Sequence, residues 1–114
     1  MATPFKRDII AEMAKACEKA GLKYGICYSQ RDWHHPDYDM AHMAKCNEFM
    51  RNQIKELLTA HPNIGIIWFD AWCVGYKETW EAEALFRMIH EIRPAIIINE
   101  RCGVPADSRA RNRA

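Results

Sequence analysis

The chain has 114 residues, with 16 Lys and Arg against 15 Asp and Glu, and its formal charge of +1 gives no electrostatic reason to expect nucleic acid or a membrane surface as partner. An apolar fraction of 49%, with four Trp, four Tyr and four Phe, excludes a disordered segment and is that of a chain that buries a core. No stretch approaches the roughly 20 apolar residues of a membrane span, and Met1-Ala2-Thr3-Pro4-Phe5-Lys6 lacks the apolar centre of a signal peptide, so nothing in that segment directs secretion.

In chain order, Thr3 before Pro4 predicts a helix start, a capping hydroxyl followed by proline at the first helical position. Phe5, Ile9, Met13, Ala16, Cys17 and Ala20 then recur at helical spacing to make one apolar face, and Gly21 suits a left-handed cap. Leu22 to Tyr28 reads as a strand. It leads into a loop from Ser29 to Tyr38, crowded with polar and aromatic groups that include Trp33, His34 and His35, and long loops of this kind usually carry function. A second helix is expected over 40–60, with Met43, Cys46, Met50, Ile54, Leu57 and Leu58 facing inward, and His61-Pro62-Asn63 stops it.

Ile64 to Phe69, apolar apart from Gly65, predicts a parallel strand with both faces covered by helices; it stops abruptly at Asp70, with Trp72 just beyond. A third helix follows, with Trp80, Ala84, Leu85, Met88, Ile89 and Ile92 on one face and Pro94 as its breaker. Ala95 to Ile98 is a short third strand, followed by Asn99-Glu100-Arg101-Cys102-Gly103. Such alternation of helix and strand makes an α/β protein with a parallel sheet and right-handed crossovers. No turn carries G-x-G-x-x-G or the phosphate-loop lysine motif, so nothing supports nucleotide binding. Cysteines at 17, 27, 46, 73 and 102 form no C-x-x-C pair, and as free thiols packing like small hydrophobes they favour a reducing compartment.

The strand exits gather the unusual polar groups: His34 and His35 after the first, Asp70 and Trp72 after the second, Asn99 and Arg101 after the third. Functional groups collect at this C-terminal edge of parallel sheets. On residues alone several readings stand. Asp70 is either a functional carboxylate or a structural partner of Arg101, the histidines are site groups or ordinary loop residues, and Trp33, Trp68 and Trp72 are contacts or packing. A divalent-metal hydrolase with Asp32, His34, His35 and Asp70 as ligands is a further reading, although the histidines lack helical i, i+4 spacing.

The segments Tyr28-Ser29-x-x-Asp32-Trp33-His34-His35-Pro36-Asp37-Tyr38, then Trp68-Phe69-Asp70, then Ile98-Asn99-Glu100-Arg101, in this order and spacing, closely resemble the α-L-fucosidases of glycoside hydrolase family 29. The resemblance implies a segment of a (β/α)8 TIM-like barrel, with three parallel strands alternating with three helices; a complete barrel takes about 250 residues. Residues 1–105 would form the partial catalytic barrel. Residues 106–114, a basic tail of Ala, Ser, Asn and Arg after Asp107, depart from the family pattern as a truncation or a shifted reading frame would. The implied activity is retaining hydrolysis of α-L-fucosyl linkages in glycans, with no metal or organic cofactor. By the same resemblance Asp70 is the nucleophile, His34 and His35 bind sugar hydroxyls, and Arg101 supports the nucleophile, with Trp33 and Trp72 as sugar contacts by position.

A retaining glycosidase also needs an acid/base carboxyl about 5–5.5 Å from the nucleophile. Glu100 lies beside Arg101 on alternate sides of an extended chain, and Asp107 falls in the divergent tail, so the acid/base is expected to be missing and the isolated chain inactive. The non-enzymatic alternative is a partial barrel that binds sugar weakly or only assembles with a partner, because unpaired sheet edges invite self-association.

Overall fold

Segments of helical and of strand period alternate along the chain, and each folds against its neighbour in the order the pattern dictates. In the computed structural model, which describes residues 5–29, 43–70 and 80–99, they are α1 (Ile9–Ala20), β1 (Tyr24–Ser29), α2 (Met43–Ala60), β2 (Ile64–Asp70), α3 (Ala82–Ile92) and β3 (Ile97–Ile98). The strands form one parallel sheet in the order β1-β2-β3, so the most apolar strand is central.

The first helix begins later than the sequence suggests. Phe5 to Asp8 are not helical, and the cap is Asp8, whose carboxylate accepts a hydrogen bond from the Ala11 amide at 3.0 Å. A carboxylate there serves an amide with no partner inside the helix and also complements the helix dipole. At the other end Gly21 takes the left-handed cap conformation at φ 69° as expected, its amide donating back to the last turn. The apolar face of α1, in contrast, is largely uncovered: Phe5, Ile9 and Met13 are about half exposed, and only Ala14 is buried. Periodicity shows that such a face exists, not that this chain supplies its cover. Where α1 does meet the sheet, burial pushes the Tyr24 phenol above its ordinary pKa, reinforced by Cys17 and Asp8 nearby.

The core lies between the sheet and the two later helices. Met50, Ile54 and Leu58 of α2 and Leu85, Phe86 and Ile89 of α3 close over Ile64, Ile67 and Phe69 of β2 and Ile98 of β3, with Tyr24, Ile26 and Tyr28 of β1 at its margin. Phe69 is completely buried, stacked on Phe86 at 5.9 Å and meeting the Tyr28 ring edge-on at 6.2 Å. Within the predicted inward faces, Cys46 is buried and Leu57 partly so, whereas Ala84 is exposed and Phe86 takes the inward place. Trp80 is buried just ahead of α3 rather than within it.

Helices α2 and α3 cover one face of the sheet, not both. On the other face Cys27, Trp68 and Ile97 are exposed and Ile66 is partly covered, in lateral register as Cys27 beside Trp68 and Ile66 beside Ile97. Cys27 is therefore not the buried small hydrophobe that its place in a strand suggests. Gly25 belongs to this face too, where a Cβ would come within 3.2 Å of the Ile66 Cβ, so a small residue eases the lateral packing of the two strands.

The N-terminal end of the sheet is closed by Arg93, which follows α3. Its guanidinium donates to the carbonyls of Leu58 at 2.6 Å, Ile64 at 2.7 Å and His61 at 3.2 Å, joining the end of α2 and the start of β2 to the end of α3. The fork geometry of arginine suits three divergent acceptors; a lysine ammonium cannot span them. Arg93→Ala is therefore expected to cost about 2 kcal/mol, given charge-assisted hydrogen bonds and partly buried carbonyls left without a donor, and Arg93→Lys to recover less than half. Urea unfolding measures this, and an unchanged midpoint in Arg93→Ala would show that water serves the same carbonyls equally well.

Candidate active site at the C-terminal sheet edge

Parallel strands of a common register finish together, and here they finish on polar residues. Ser29 ends β1 directly beside Asp70 at the end of β2. Asn99 follows β3 and is buried, 1% exposed. Alternation along β2 decides what Asp70 does. Phe69 turns into the helix-covered core, so Trp68 and Asp70 share the opposite, open face, and both are exposed.

Asn99 closes the edge between β2 and β3. The backbone ladder pairs Ile66 with Ile97 and Ile67 with Ile98. Beyond it the Asn99 side chain takes over: its Nδ2 donates to the Phe69 carbonyl at 2.9 Å, and its Oδ1 accepts from the Phe69 amide at 2.7 Å. On the far side of the sheet the Tyr28 hydroxyl donates to Gln53 Oε1 at 2.6 Å, tying the exit of β1 to α2. Arg51 of α2 meets Glu81 at 2.6 Å just before α3, an exposed pair worth at most about 1 kcal/mol.

Of the residues singled out from sequence, Asp70 lies at the expected strand end. His34, His35, Trp33, Trp72 and Arg101 lie outside the described residues, as do Asp32, Glu100, Asp107 and the whole 106–114 tail. Among the described residues no cluster of three or more His, Cys, Asp or Glu side chains could hold a metal ion. The pairing role of Asn99 escaped the sequence reading, which placed it at the same edge only by position. The signal was an amide side chain directly after a short apolar strand.

The model of the α-L-fucosidase family matches residues 1–112. The chain belongs to that family. It is 33% identical over 93 residues to α-L-fucosidase 1 of Arabidopsis thaliana, covering 80% of this chain and 18% of that protein. It superposes on α-L-fucosidase isoenzyme 1 from Paenibacillus thiaminolyticus with a TM-score of 0.80 at 36% identity, over 88% of this chain and 28% of the other. It also matches the family 29 enzyme from Bacteroides thetaiotaomicron, solved as a trapped covalent intermediate with 2-fluoro-fucosyl fluoride in a glutamate-to-glutamine variant. There the TM-score is 0.78 at 35% identity, over 89% of this chain and 25% of that one. The chain thus spans about a fifth to a quarter of the length of such relatives.

These fucosidases have a TIM-barrel catalytic domain, of which β1, β2 and β3 are a segment. In such a barrel the helices form the outer ring and the opposite sheet face looks inward. That accounts for the uncovered Cys27, Ile66, Trp68 and Ile97: barrel interiors are filled by side chains from other strands, not by helices. The prediction of two helix-covered faces failed for this reason. Alkylation of the native chain followed by peptide mapping is accordingly expected to label Cys27 well before Cys46, which is buried in α2. Equal protection of the two thiols would mean that something covers the open face in solution.

Proposed function

We propose that this chain carries the nucleophile segment of a retaining α-L-fucosidase, with Asp70 as nucleophile. The observation that supports this most directly is the exposed position of Asp70 at the C-terminal end of the central parallel strand, on the face opposite the helices, in a chain belonging to the fucosidase family. A covalent intermediate trapped in the Bacteroides thetaiotaomicron relative is what a retaining mechanism forms. An Asp70 carboxylate oxygen would bond to the anomeric carbon of fucose while the bond from that carbon to the aglycone oxygen breaks. The departing oxygen keeps the electron pair and takes a proton from a second carboxyl. Water, deprotonated by that same carboxyl, then attacks the anomeric carbon, releasing fucose and regenerating Asp70.

In this proposal His34 and His35 hydrogen-bond sugar hydroxyls, Arg101 favours the ionised nucleophile, and Trp33 and Trp72 pack against the apolar parts of the sugar. The substrate is a fucosylated glycan or glycoside. The second carboxyl is assigned to a part of the barrel other than these 114 residues, so the chain alone is expected not to turn over 4-nitrophenyl α-L-fucoside. A barrel completed around it should do so, and Asp70→Asn should lower that rate by more than about a thousandfold. Treatment with 2-fluoro-fucosyl fluoride, whose fluoride leaves without acid assistance, should form an ester that peptide mass mapping places on Asp70. An ester on a different carboxylate would sink the assignment.

The competing non-catalytic reading draws on β1 and β3 as the outer strands of the described sheet, since the edges of a partial barrel invite self-association.

A further inference from the structure

We infer that Asn99 is a positioning residue for Asp70, its carboxamide pairing with the main chain of Phe69 and fixing the peptide plane from which Asp70 projects. The functional part of this rests on the reading of Asp70 as nucleophile; the structural part does not.

Among the described residues little backbone joins β2 to β3. Two residue pairs connect them, and the last, Ile67 with Ile98, lies three residues short of Asp70. Along a strand the amide and carbonyl of one residue point to the same side, and successive residues alternate sides. The main chain of Phe69 therefore faces β3, and that of Asp70 faces β1, where Ser29 is its partner. Left without a partner, both polar main-chain groups of Phe69 would face an apolar interior, which is costly.

A primary amide is the side chain that can satisfy both at once, because it presents one donor and one acceptor side by side as a peptide does. Asn99 makes both bonds, at 2.7 and 2.9 Å, while 1% exposed. The Phe69 carbonyl belongs to the same rigid plane as the Asp70 amide and Cα. Holding that oxygen fixes the plane from the β3 side, and pairing with Ser29 fixes it from the β1 side. The buried Phe69 ring anchors the preceding residue. The backbone that carries Asp70 is thus held from three directions, one of them the Asn99 carboxamide. A nucleophile displaced by about 1 Å can lose on the order of a hundredfold in rate, so such a clamp bears on chemistry without touching the sugar.

The test compares the parent chain with Asn99→Ala, with Asn99→Asp, which keeps the shape and the acceptor but lacks the donor, and with Arg93→Ala, which weakens the fold at the opposite end of the sheet. The first readout needs no ligand. In the parent and in Arg93→Ala the Asp70 amide should be rigid, with an NMR order parameter of about 0.85, and in both Asn99 variants it should fall toward about 0.6. In the unmutated chain the Asn99 carboxamide protons should exchange with solvent far more slowly than those of a free amide. Free-amide exchange there, or an Asp70 order parameter that drops as much in Arg93→Ala as in Asn99→Asp, overturns the clamp.

The second readout is the rate of ester formation at Asp70 with 2-fluoro-fucosyl fluoride in the completed barrel. It should fall about tenfold or more in Asn99→Asp and stay within about twofold in Arg93→Ala. Parent-like labelling in Asn99→Asp refutes the positioning role. Absence of any ester at Asp70 in the parent refutes the nucleophile reading instead, and leaves the clamp to be decided by the exchange and relaxation data.

Discussion

Complete burial of Phe69 is the constraint on which the sheet edge depends. Its ring is stacked on Phe86 of α3 and meets Tyr28 of β1, so it joins strand, neighbouring strand and helix in one contact. Strand alternation then leaves no freedom to the residues on either side. With Phe69 turned toward the helices, Trp68 and Asp70 must lie on the other face. A slip of one residue would put an ionised carboxylate into the core, at a desolvation cost far above that of any neighbouring contact. The hydrophobic term that folds the sheet thereby also sets the side on which its carboxylate emerges.

The two ends of the sheet are held by different devices. At the N-terminal end Arg93 gathers three carbonyls from two elements, a closure made of main-chain acceptors and one charged side chain. At the C-terminal end the closure is the neutral amide of Asn99. In barrel folds the N-terminal face serves stability and the C-terminal face serves chemistry. The neutral amide of Asn99 pairs with the Phe69 main chain without itself adding charge at that edge.

Among the described residues two apolar surfaces are open, the sheet face bearing Cys27, Trp68 and Ile97 and the face of α1 bearing Ile9 and Met13, with Phe5 just ahead of it. The first of these is the helix-free face, the kind that in the TIM barrel of such fucosidases looks toward an interior filled by side chains of other strands. The stability of the described sheet therefore comes from one layer of packing, the helix-covered one, while the same strands present an inward face shaped for neighbours from elsewhere in a barrel.

Much of this was legible in the residues. The apolar run from Ile64 to Phe69 stopping at Asp70 marked β2 and where it ends, and the helical repeat from Cys46 through Leu58 marked the inward face of α2, because period and burial are local consequences of backbone geometry. Gly21 declared its cap for the same reason. Three things were not local. That Asp8 rather than Thr3 starts α1, that only one face of β2 is covered by helices, and that Asn99 completes a ladder for Phe69 each depend on partners distant in sequence. Sequence by itself determined which residues alternate, which turn, and which family they belong to. Only the tertiary structure decided which apolar face found cover and which amide met which main-chain group, since a side chain's partner is chosen by the packing of whole elements and not by its neighbours along the chain.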